Sequence, residues 1–332
     1  MSSILVTGGT WFIWSHTVVE LLTAGHEVVI YDNLSNSDAS VTTAIQQITN
    51  HRAEFIEWDL RSYEDLDRLF TEYDFDAVIH FAGLKSVGDS CADPFSYYDS
   101  NIVGTMNLLM VMDEHDVSEL IFSSSATVYD STHETAPFGE EMRTWHTTNP
   151  YGTTKFVIEQ LLMDMASRKG MQIISLRYFN PVWAHPSGLL GEDPTDTPTN
   201  LLPVIMDVME GRREVLQIFG DDYETDDGTC VRDYIHVVDL AQAHMAALDA
   251  LGDGEAYRTY NVGTGVGTSV SELIQIVEQA SGRSLPTESV PRRDGDVDVA
   301  VADVTKITNQ LWRTAKMTVT QAVEHAIKFR NS

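Results

Sequence analysis

The chain has 332 residues, 43% of them hydrophobic, which is enough to bury a full core and, at ordinary domain sizes, to make two domains. Its 21 basic and 50 acidic side chains give a formal charge of −29, and this argues against a nucleic-acid or anionic-membrane partner, because binding a polyanion needs a basic face. No apolar run approaches the roughly 20 residues that span a bilayer, and the only cysteines, Cys91 and Cys230, lack the spacing of a disulfide scaffold or a zinc site. The expectation is a cytoplasmic protein that holds no metal and has no membrane partner.

In chain order, short β-branched runs alternate with helical stretches. Strands are expected at Ile4–Thr7, Glu27–Tyr31, Ala53–Glu57, Ala77–His80, Glu119–Ser123 and Gln172–Arg177, with helices between them, among these Trp11–Thr23 and Pro150–Ser167. The strands are apolar on both sides, as in a parallel sheet covered on both faces. After Asn180 the pattern loosens into Pro, Gly and Asp clusters around one clear helix, Leu201–Glu210. A strand-helix unit at Tyr234–Ala250 follows, then a strand at Thr259–Val262 and helices at Val270–Ala280 and Val319–Arg330. The reading is α/β: a doubly wound parallel sheet of Rossmann type over residues 1–180, with 232–262 returning to it. A smaller α/β substrate domain takes 181–231 and 263–332.

Val6-Thr7-Gly8-Gly9-Thr10 closes the first strand and opens a helix, the setting of a dinucleotide-binding turn with phosphate at the helix N-terminus. Asp32 ends the second strand, 24 residues beyond Gly8. A carboxylate there hydrogen-bonds ribose hydroxyls and repels a 2′-phosphate, selecting NAD over NADP. Tyr151 and Lys155 share a helix face at i and i+4, so the ammonium is expected to lower the phenol's pKa and make Tyr151 a general base. By spacing alone the pair would be ordinary. Its setting is not, since Ser123-Ser124-Ser125 closes the preceding strand and Pro150 sits at the first helical position.

Several segments then carry a resemblance: FSSSATVY (122–129), NPYGTTK (149–155), LRYFNPV (176–182), DGTCVRDYIHV (227–237) and PRRDGD (291–296). Together they make the chain similar, over nearly its whole length, to the UDP-glucose 4-epimerases, NAD-dependent nucleotide-sugar epimerases of the extended short-chain dehydrogenase/reductase family. The resemblance implies a hydride passed to NAD and returned to the other face of a 4-keto sugar, and often a homodimer formed through a helix pair. It implies that Ser125, Tyr151 and Lys155 are catalytic. It assigns Gly8, Trp11, Phe12, Ile13, Asp32, Asn33, Asn36, Ser37, Asp59 and Leu60 to NAD, together with Phe81, Ala82, Gly83, Leu84, Lys85, Ser100, Phe179, Tyr151 and Lys155. Ser100 stands where the family usually has Asn. The UDP-hexose would be held by Lys85, Ser125, Tyr151, Asn180, Asn200, Leu201, Gln217, Ile218 and Phe219, with Arg232, Arg293 and Asp296. The two arginines would meet its diphosphate. A dehydratase would need a carboxylate pair after Ser125, where Ala126-Thr127-Val128 stands instead. A UDP-hexose decarboxylase-type relative is the nearest alternative enzyme. Ala300, four residues after Asp296, falls where the resemblance places a residue that decides whether an N-acetyl group fits.

The six tryptophans break the pattern. The family's Gly-x-x-Gly-x-x-Gly turn reads Gly8, Trp11, Trp14 here, Trp58 precedes Asp59 where the family has Gly-Asp, and Trp183 falls in its Asn-Pro-Val-Gly-Ala-His. Trp145 and Trp312 also align with glycine, on looser matches. Three explanations stand open: a source that reads UGA as glycine, ordinary Gly-to-Trp mutation, or a non-catalytic nucleotide-sugar-binding protein that has lost NAD. Asp130, another family glycine position, is a departure that the codon explanation does not cover.

Overall fold

The computed structural model describes residues 1–192, 198, 200–293, 295–311 and 313–332, and the side chain of Phe12 lies outside the described set. Trp312 and Asp294 therefore lie outside the described residues. The first half runs β1 (Ser3–Thr7), α1 (Phe12–Thr23), β2 (Glu27–Asp32), α2 (Val41–Thr49), β3 (Glu54–Glu57), α3 (Tyr63–Glu72) and β4 (Ala77–His80). It continues with α4 (Val87–Ala92), α5 (Pro94–Tyr97), a π-helical turn over Tyr98–Val103, α6 (Gly104–Glu114), β5 (Glu119–Ser125), α7 (Pro150–Lys169) and β6 (Gln172–Tyr178). The second half runs β7 (Asn180–Val182), α8 (Leu201–Met209), β8 (Leu216–Phe219), β9 (Val231–Arg232), β10 (Tyr234–His236), α9 (Val237–Asp249) and β11 (Tyr257–Val262). It ends with β12 (Thr268–Ser269), α10 (Val270–Ser281), β13 (Thr287–Val290), β14 (Val299–Ala300), α11 (Thr305–Leu311) and α12 (Val319–Arg330).

Seven strands form one sheet in the order β11-β6-β5-β4-β1-β2-β3, with every pair parallel. The chain moves outward from β1 in one direction through β2 and β3 and in the other through β4, β5 and β6. Beside β1 the winding reverses, and ligands of open α/β sheets bind at such a reversal. Two apolar clusters cover the two faces. One joins β1 and β2 side chains such as Ile4, Val6 and Ile30 to α1 and α9, and the other joins Leu5, Val29 and Val78 to α3, α6 and α7. The strands are apolar on both sides because both sides are covered.

Beyond β6 three small sheets, β10-β7, β12-β9-β14 and β13-β8, surround a third apolar cluster that includes α8, α10 and α12. These two- to four-residue strands sit within the stretches that looked irregular in sequence. The expected strand at Glu119–Ser123 runs on to Ser125, because Ser124 and Ser125 pair with Arg177 and Tyr178 of β6. The pairing draws three serine side chains below a tenth exposure, and their hydroxyls must find partners there.

Helix α7 starts where its sequence says it should. Asn149 accepts from the amide of Gly152 at 2.8 Å, Pro150 occupies the first turn, and Gly170 closes the helix with φ 73°. At its centre Glu159 is buried and receives Arg177 through two bonds, Nε to Oε1 at 2.9 Å and an η-nitrogen to Oε2 at 2.6 Å. Ser124 donates to the same carboxylate at 2.6 Å. Removing one charge strands the other away from water. Glu159→Gln should therefore destabilise the fold by about 3–5 kcal/mol. The measurement is the shift in denaturant midpoint at unchanged slope, and a variant of wild-type stability would refute this account of the pair.

Candidate active site

The turn after β1 is held tight by backbone. The Gly8 amide donates to the Tyr31 carbonyl at 2.7 Å, and Gly8 has φ 74°. A Cβ at Gly8 would lie 2.8 Å from the Ala82 backbone, so only glycine lets the β1 turn and the loop after β4 meet. Asp32 ends β2 with its carboxylate accepting from the amides of Thr10 at 3.1 Å and Leu34 at 3.0 Å and from the Ser37 hydroxyl at 3.4 Å. Asn33 donates to Asp59 at 2.8 Å, and Tyr31 donates to the Asp59 carbonyl. Arg61, hydrogen-bonded to Asp59, holds that carboxyl well below the usual range.

A cleft of about 630 Å³ opens over this edge. Of the residues assigned to NAD, it gathers Gly8, Trp11, Asp32, Asn33, Asn36, Asp59, Leu60, Ala82, Gly83, Leu84, Lys85 and Ser100. Ile13 and Phe81 sit behind it in the core, and Phe179 packs with Tyr129 and Phe138. Tyr31 and Ser35 line the cleft without having been singled out in sequence. Tyr31 ends an apolar run, and only the strand's register turns it toward Asp59.

Asn101 is a further residue that sequence reasoning missed. Its side chain accepts from the Leu84 amide at 2.7 Å and donates to the Leu84 carbonyl at 2.9 Å and to Thr154 at 3.0 Å, tying the cleft loop to α7. It lies in the π-helical turn over Tyr98–Val103, a local widening that often marks functional positions. Helix periodicity alone does not report such a turn.

Ser125, Tyr151 and Lys155 come together at the end of β5. A Cβ on Gly152 would lie 2.8 Å from the Thr127 carbonyl, so the missing side chain lets α7 close onto the segment after Ser125. Ser125 acts on the Tyr151 phenol against the burial that raises it, and the Ser125 oxygen accepts from the Thr127 amide at 3.2 Å and the Thr127 hydroxyl at 3.0 Å. Lys155 donates to the Ser123 carbonyl at 2.7 Å, and its ammonium is 5.9 Å from the centre of the Tyr151 ring. The spacing argument expects the ammonium to lower the phenol. Instead burial dominates and pushes Tyr151 up to about 12, with Ser125 pulling the other way. Burial also pushes Lys155 down to about 7, opposed by Glu159.

The residues assigned to the nucleotide-sugar form a second group. Asp296 sits between two guanidinium groups, 3.5 Å from Arg232 and 3.2 Å from Arg293. Arg293 lies 4.5 Å over the Phe219 ring, which β8 presents beside Gln217 and Ile218. Asn180 starts β7, and Asn200 stands at the N-cap position of α8 without a side-chain capping bond and donates to Glu192 at 3.2 Å instead. Glu192 faces Lys85 electrostatically, linking this group to the first cleft. Burial pushes Lys85 down to about 8, with Glu192 opposing. Among the described residues, no cluster of His, Cys, Asp or Glu could hold a metal ion.

The tryptophans decide how far a dinucleotide fits. The adenosine end, with Asp32, Asn33 and Asp59, fits. The stretch between the Gly8 turn and Lys85 does not, because the Trp11 ring lies there against Lys85, while Trp14 packs in the core behind and Trp58 stands edge-on to Tyr31. The Lys85 ammonium is 3.0 Å from the centre of the Trp11 ring, and Trp14 stacks on Phe81 at 4.3 Å. Trp145 and Trp183 take φ values of 126° and 89°, a conformation costing about 1–3 kcal/mol each for a side chain of this kind. Asp130, by contrast, is fully buried and satisfied by Thr132 and His133.

Residues 4–263 match the NAD dependent epimerase/dehydratase family. The chain is 47% identical over 324 residues to the UDP-glucose 4-epimerase of Mus musculus, covering 96% of this chain and 93% of that one. It superposes with a TM-score of 0.96 and 47% identity on the UDP-glucose 4-epimerase of Stenotrophomonas maltophila solved with NAD and formylated UDP-arabinopyranose, covering 100% and 98% of the two chains. With the Bifidobacterium longum UDP-glucose 4-epimerase, solved with NAD+ and UDP, the TM-score is 0.95 at 45% identity, covering 99% and 98%. The chain belongs to the NAD-dependent epimerase/dehydratase family, among its UDP-glucose 4-epimerases.

Proposed function

We propose that the protein interconverts UDP-glucose and UDP-galactose by epimerisation at C4 through a 4-keto sugar. The observation that carries this is the convergence of Ser125, Tyr151 and Lys155 where β5 meets α7, with Ser125 acting on the phenol and Lys155 anchored to the Ser123 carbonyl, in a fold whose separate Asp32 cleft suits the adenosine end of a dinucleotide. NAD, when bound, supplies reversible acceptance of hydride. The chain's own part is proton transfer and positioning. Tyr151 takes the proton of the sugar 4-hydroxyl and gives it back, and Ser125 orients that hydroxyl. With the phenol pushed up and the lysine pushed down, the empty site near neutrality holds a neutral phenol beside a lysine that is itself close to losing its proton. An anionic diphosphate nearby favours the ammonium, and the ammonium in turn favours the phenolate. Arg232 and Arg293 hold that diphosphate, Phe219 packs on the uracil side, and residues 181–231 with 263–332 act as the sugar-nucleotide lobe. Two free thiols suit the reducing cytoplasm.

In a preparation that carries NAD, Tyr151→Phe should lower kcat by about 10²–10⁴-fold while the affinity for UDP, measured by calorimetry, stays unchanged. Undiminished turnover would remove Tyr151 from the role of base.

Substrate breadth follows from Ala300. It pairs in register with Arg232 and packs beside the cluster of Tyr129 and Phe179. A methyl at this place leaves room that a large ring would fill, and steric overlap in a packed site discriminates by about 1–3 kcal/mol. UDP-N-acetylglucosamine should therefore turn over within about tenfold of UDP-glucose, a barrier difference of about 1.4 kcal/mol. Ala300→Tyr should remove the N-acetyl activity and spare the plain hexose. Robust UDP-glucose turnover beside none for the N-acetyl sugar in the unaltered protein would end this reading.

The protein acts as a homodimer in this proposal. Val103, Met106 and Met110 fall on one face at i, i+3 and i+7, exposed by 42%, 44% and 48%, with Phe95 exposed by 83% nearby in the chain and Met163 exposed on α7. In a chain of charge −29, an exposed apolar stripe on a helix, with carboxylates only toward its ends at Asp99, Asp113 and Glu114, is suited to meeting its own copy. Sedimentation should give a dimer, and Met106→Glu with Met110→Glu a monomer. A monomeric unaltered protein at micromolar concentration would contradict this.

A further inference from the structure

Two tryptophan backbones take torsions that belong to glycine. Trp145 has φ 126° and Trp183 has φ 89°, on the side of the map where a Cβ crowds its own main chain. Among the described residues, three other non-glycine residues share that side. Asn50 and Asp116 are of the types that tolerate it, which leaves Leu34. Trp183 is also fully buried, and its indole N–H has no acceptor, whereas a buried indole ordinarily finds one. A side chain selected for this place would have its donor satisfied and its backbone relaxed.

The other three described indoles collect in one cleft. Trp11, Trp14 and Trp58 line it beside Gly8 and Asp32, with Trp11 against the Lys85 ammonium, Trp14 on Phe81 and Trp58 edge-on to Tyr31. An N-terminal turn that would otherwise offer backbone amides to a diphosphate is covered by a ring, with Lys85 3.0 Å from the ring centre. Asp130 serves as the control. It is another departure from the family's glycine pattern, yet its backbone is not left-handed, and its carboxylate accepts from Thr132 and pairs with His133.

We infer that the working protein carries glycine at positions 11, 14, 58, 145 and 183, and that one cause covers them: the gene comes from a source in which UGA means glycine. Such a gene yields this chain, tryptophan for glycine, in any host that reads UGA as tryptophan. A reassigned codon replaces one residue type wherever it occurs and touches nothing else. Random mutation, or relaxed selection after loss of a ligand, would instead scatter over many residue types. Position 312 lies outside the described residues, and its glycine follows from the codon alone. For positions 11, 14 and 58 the inference rests on the dinucleotide reading of the cleft; for 145 and 183 it rests on backbone torsion and burial.

The deciding measurement is the intact mass of the protein purified from its native source, with peptide mapping of the six sites. Glycine at all six, with no tryptophan absorbance, is the expected result. Tryptophan at any of the six overturns the codon assignment. In parallel, the chain as written and a form with Trp→Gly at 11, 14, 58, 145, 183 and 312 are purified, and their tightly bound NAD is released and counted. The glycine form should retain close to one NAD per chain and the tryptophan form less than about a tenth of that. Equal retention by both overturns the claim that the indoles block the cleft, whatever the native mass. A native protein with glycine at all six and bound NAD, but no epimerisation, would sink the proposed reaction and leave this inference standing.

Discussion

The carboxyl edge of the sheet depends on two close approaches of bare backbone. At Gly8 the turn after β1 comes so near Ala82 that a Cβ would lie 2.8 Å from its main chain, and at Gly152 helix α7 comes equally near the Thr127 carbonyl. The first approach joins the Asp32 side of the cleft to the loop carrying Lys85. The second brings Tyr151 within reach of Ser125. If either residue gained a side chain, the two halves of the site would move apart by a good part of an ångström. In chemistry that depends on hydrogen-bond contact, such a displacement is costly. The geometry of the site is thus set by two places where nothing but hydrogen fits.

What the close packing removes from water must be satisfied internally, and the sheet edge does this with polar chains of bonds. His80, fully buried and held neutral by burial, bridges Thr7 at 2.7 Å and Thr105 at 2.8 Å. Thr7 also accepts from the Ala82 amide at 3.3 Å. Asn101 ties the next loop residues to α7, Lys155 caps the Ser123 carbonyl, and the Glu159–Arg177 pair locks α7 onto β5 and β6. Each bond joins the loop or helix bearing a site residue to the strand behind it. Loss of a partner would therefore leave a buried group unpaired as well as loosen a site residue.

The sheet was legible in sequence because both faces of every central strand are apolar, and Val-Ile-His or Leu-Ile-Phe runs have no other home. The Tyr151 and Lys155 pair was legible from helix spacing together with Asn149 and Pro150 at the helix start. The small strands β7, β9, β12 and β14 were not legible, since two or three residues carry no periodicity and their pairing is set by distant partners such as Ala300 with Arg232. The direction of the Tyr151 shift was not legible either. Sequence gives the charge at i+4 but not the depth at which both groups are buried, and depth outweighs the charge here. Asn101 was hidden because a π-helical turn displaces side chains from the faces that a regular helix count assigns.

The strongly acidic composition gains a local meaning at the site. A chain with more than twice as many acids as bases repels an anionic ligand over most of its surface, yet its few cations near the cleft are placed against carboxylates. Lys85 faces Glu192, and Arg232 and Arg293 share Asp296. Asp296 thus keeps two guanidinium groups oriented beside β8, and Lys85, buried in the other cleft, sits where electrostatics are stronger than in water. In the proposed reaction a diphosphate would compete with Asp296 for guanidinium groups that are already oriented. The acidic surface and these local cations are thus compatible, because surface charges more than about 8–10 Å away are largely screened by salt, while a cation at a ligand would act at contact distance.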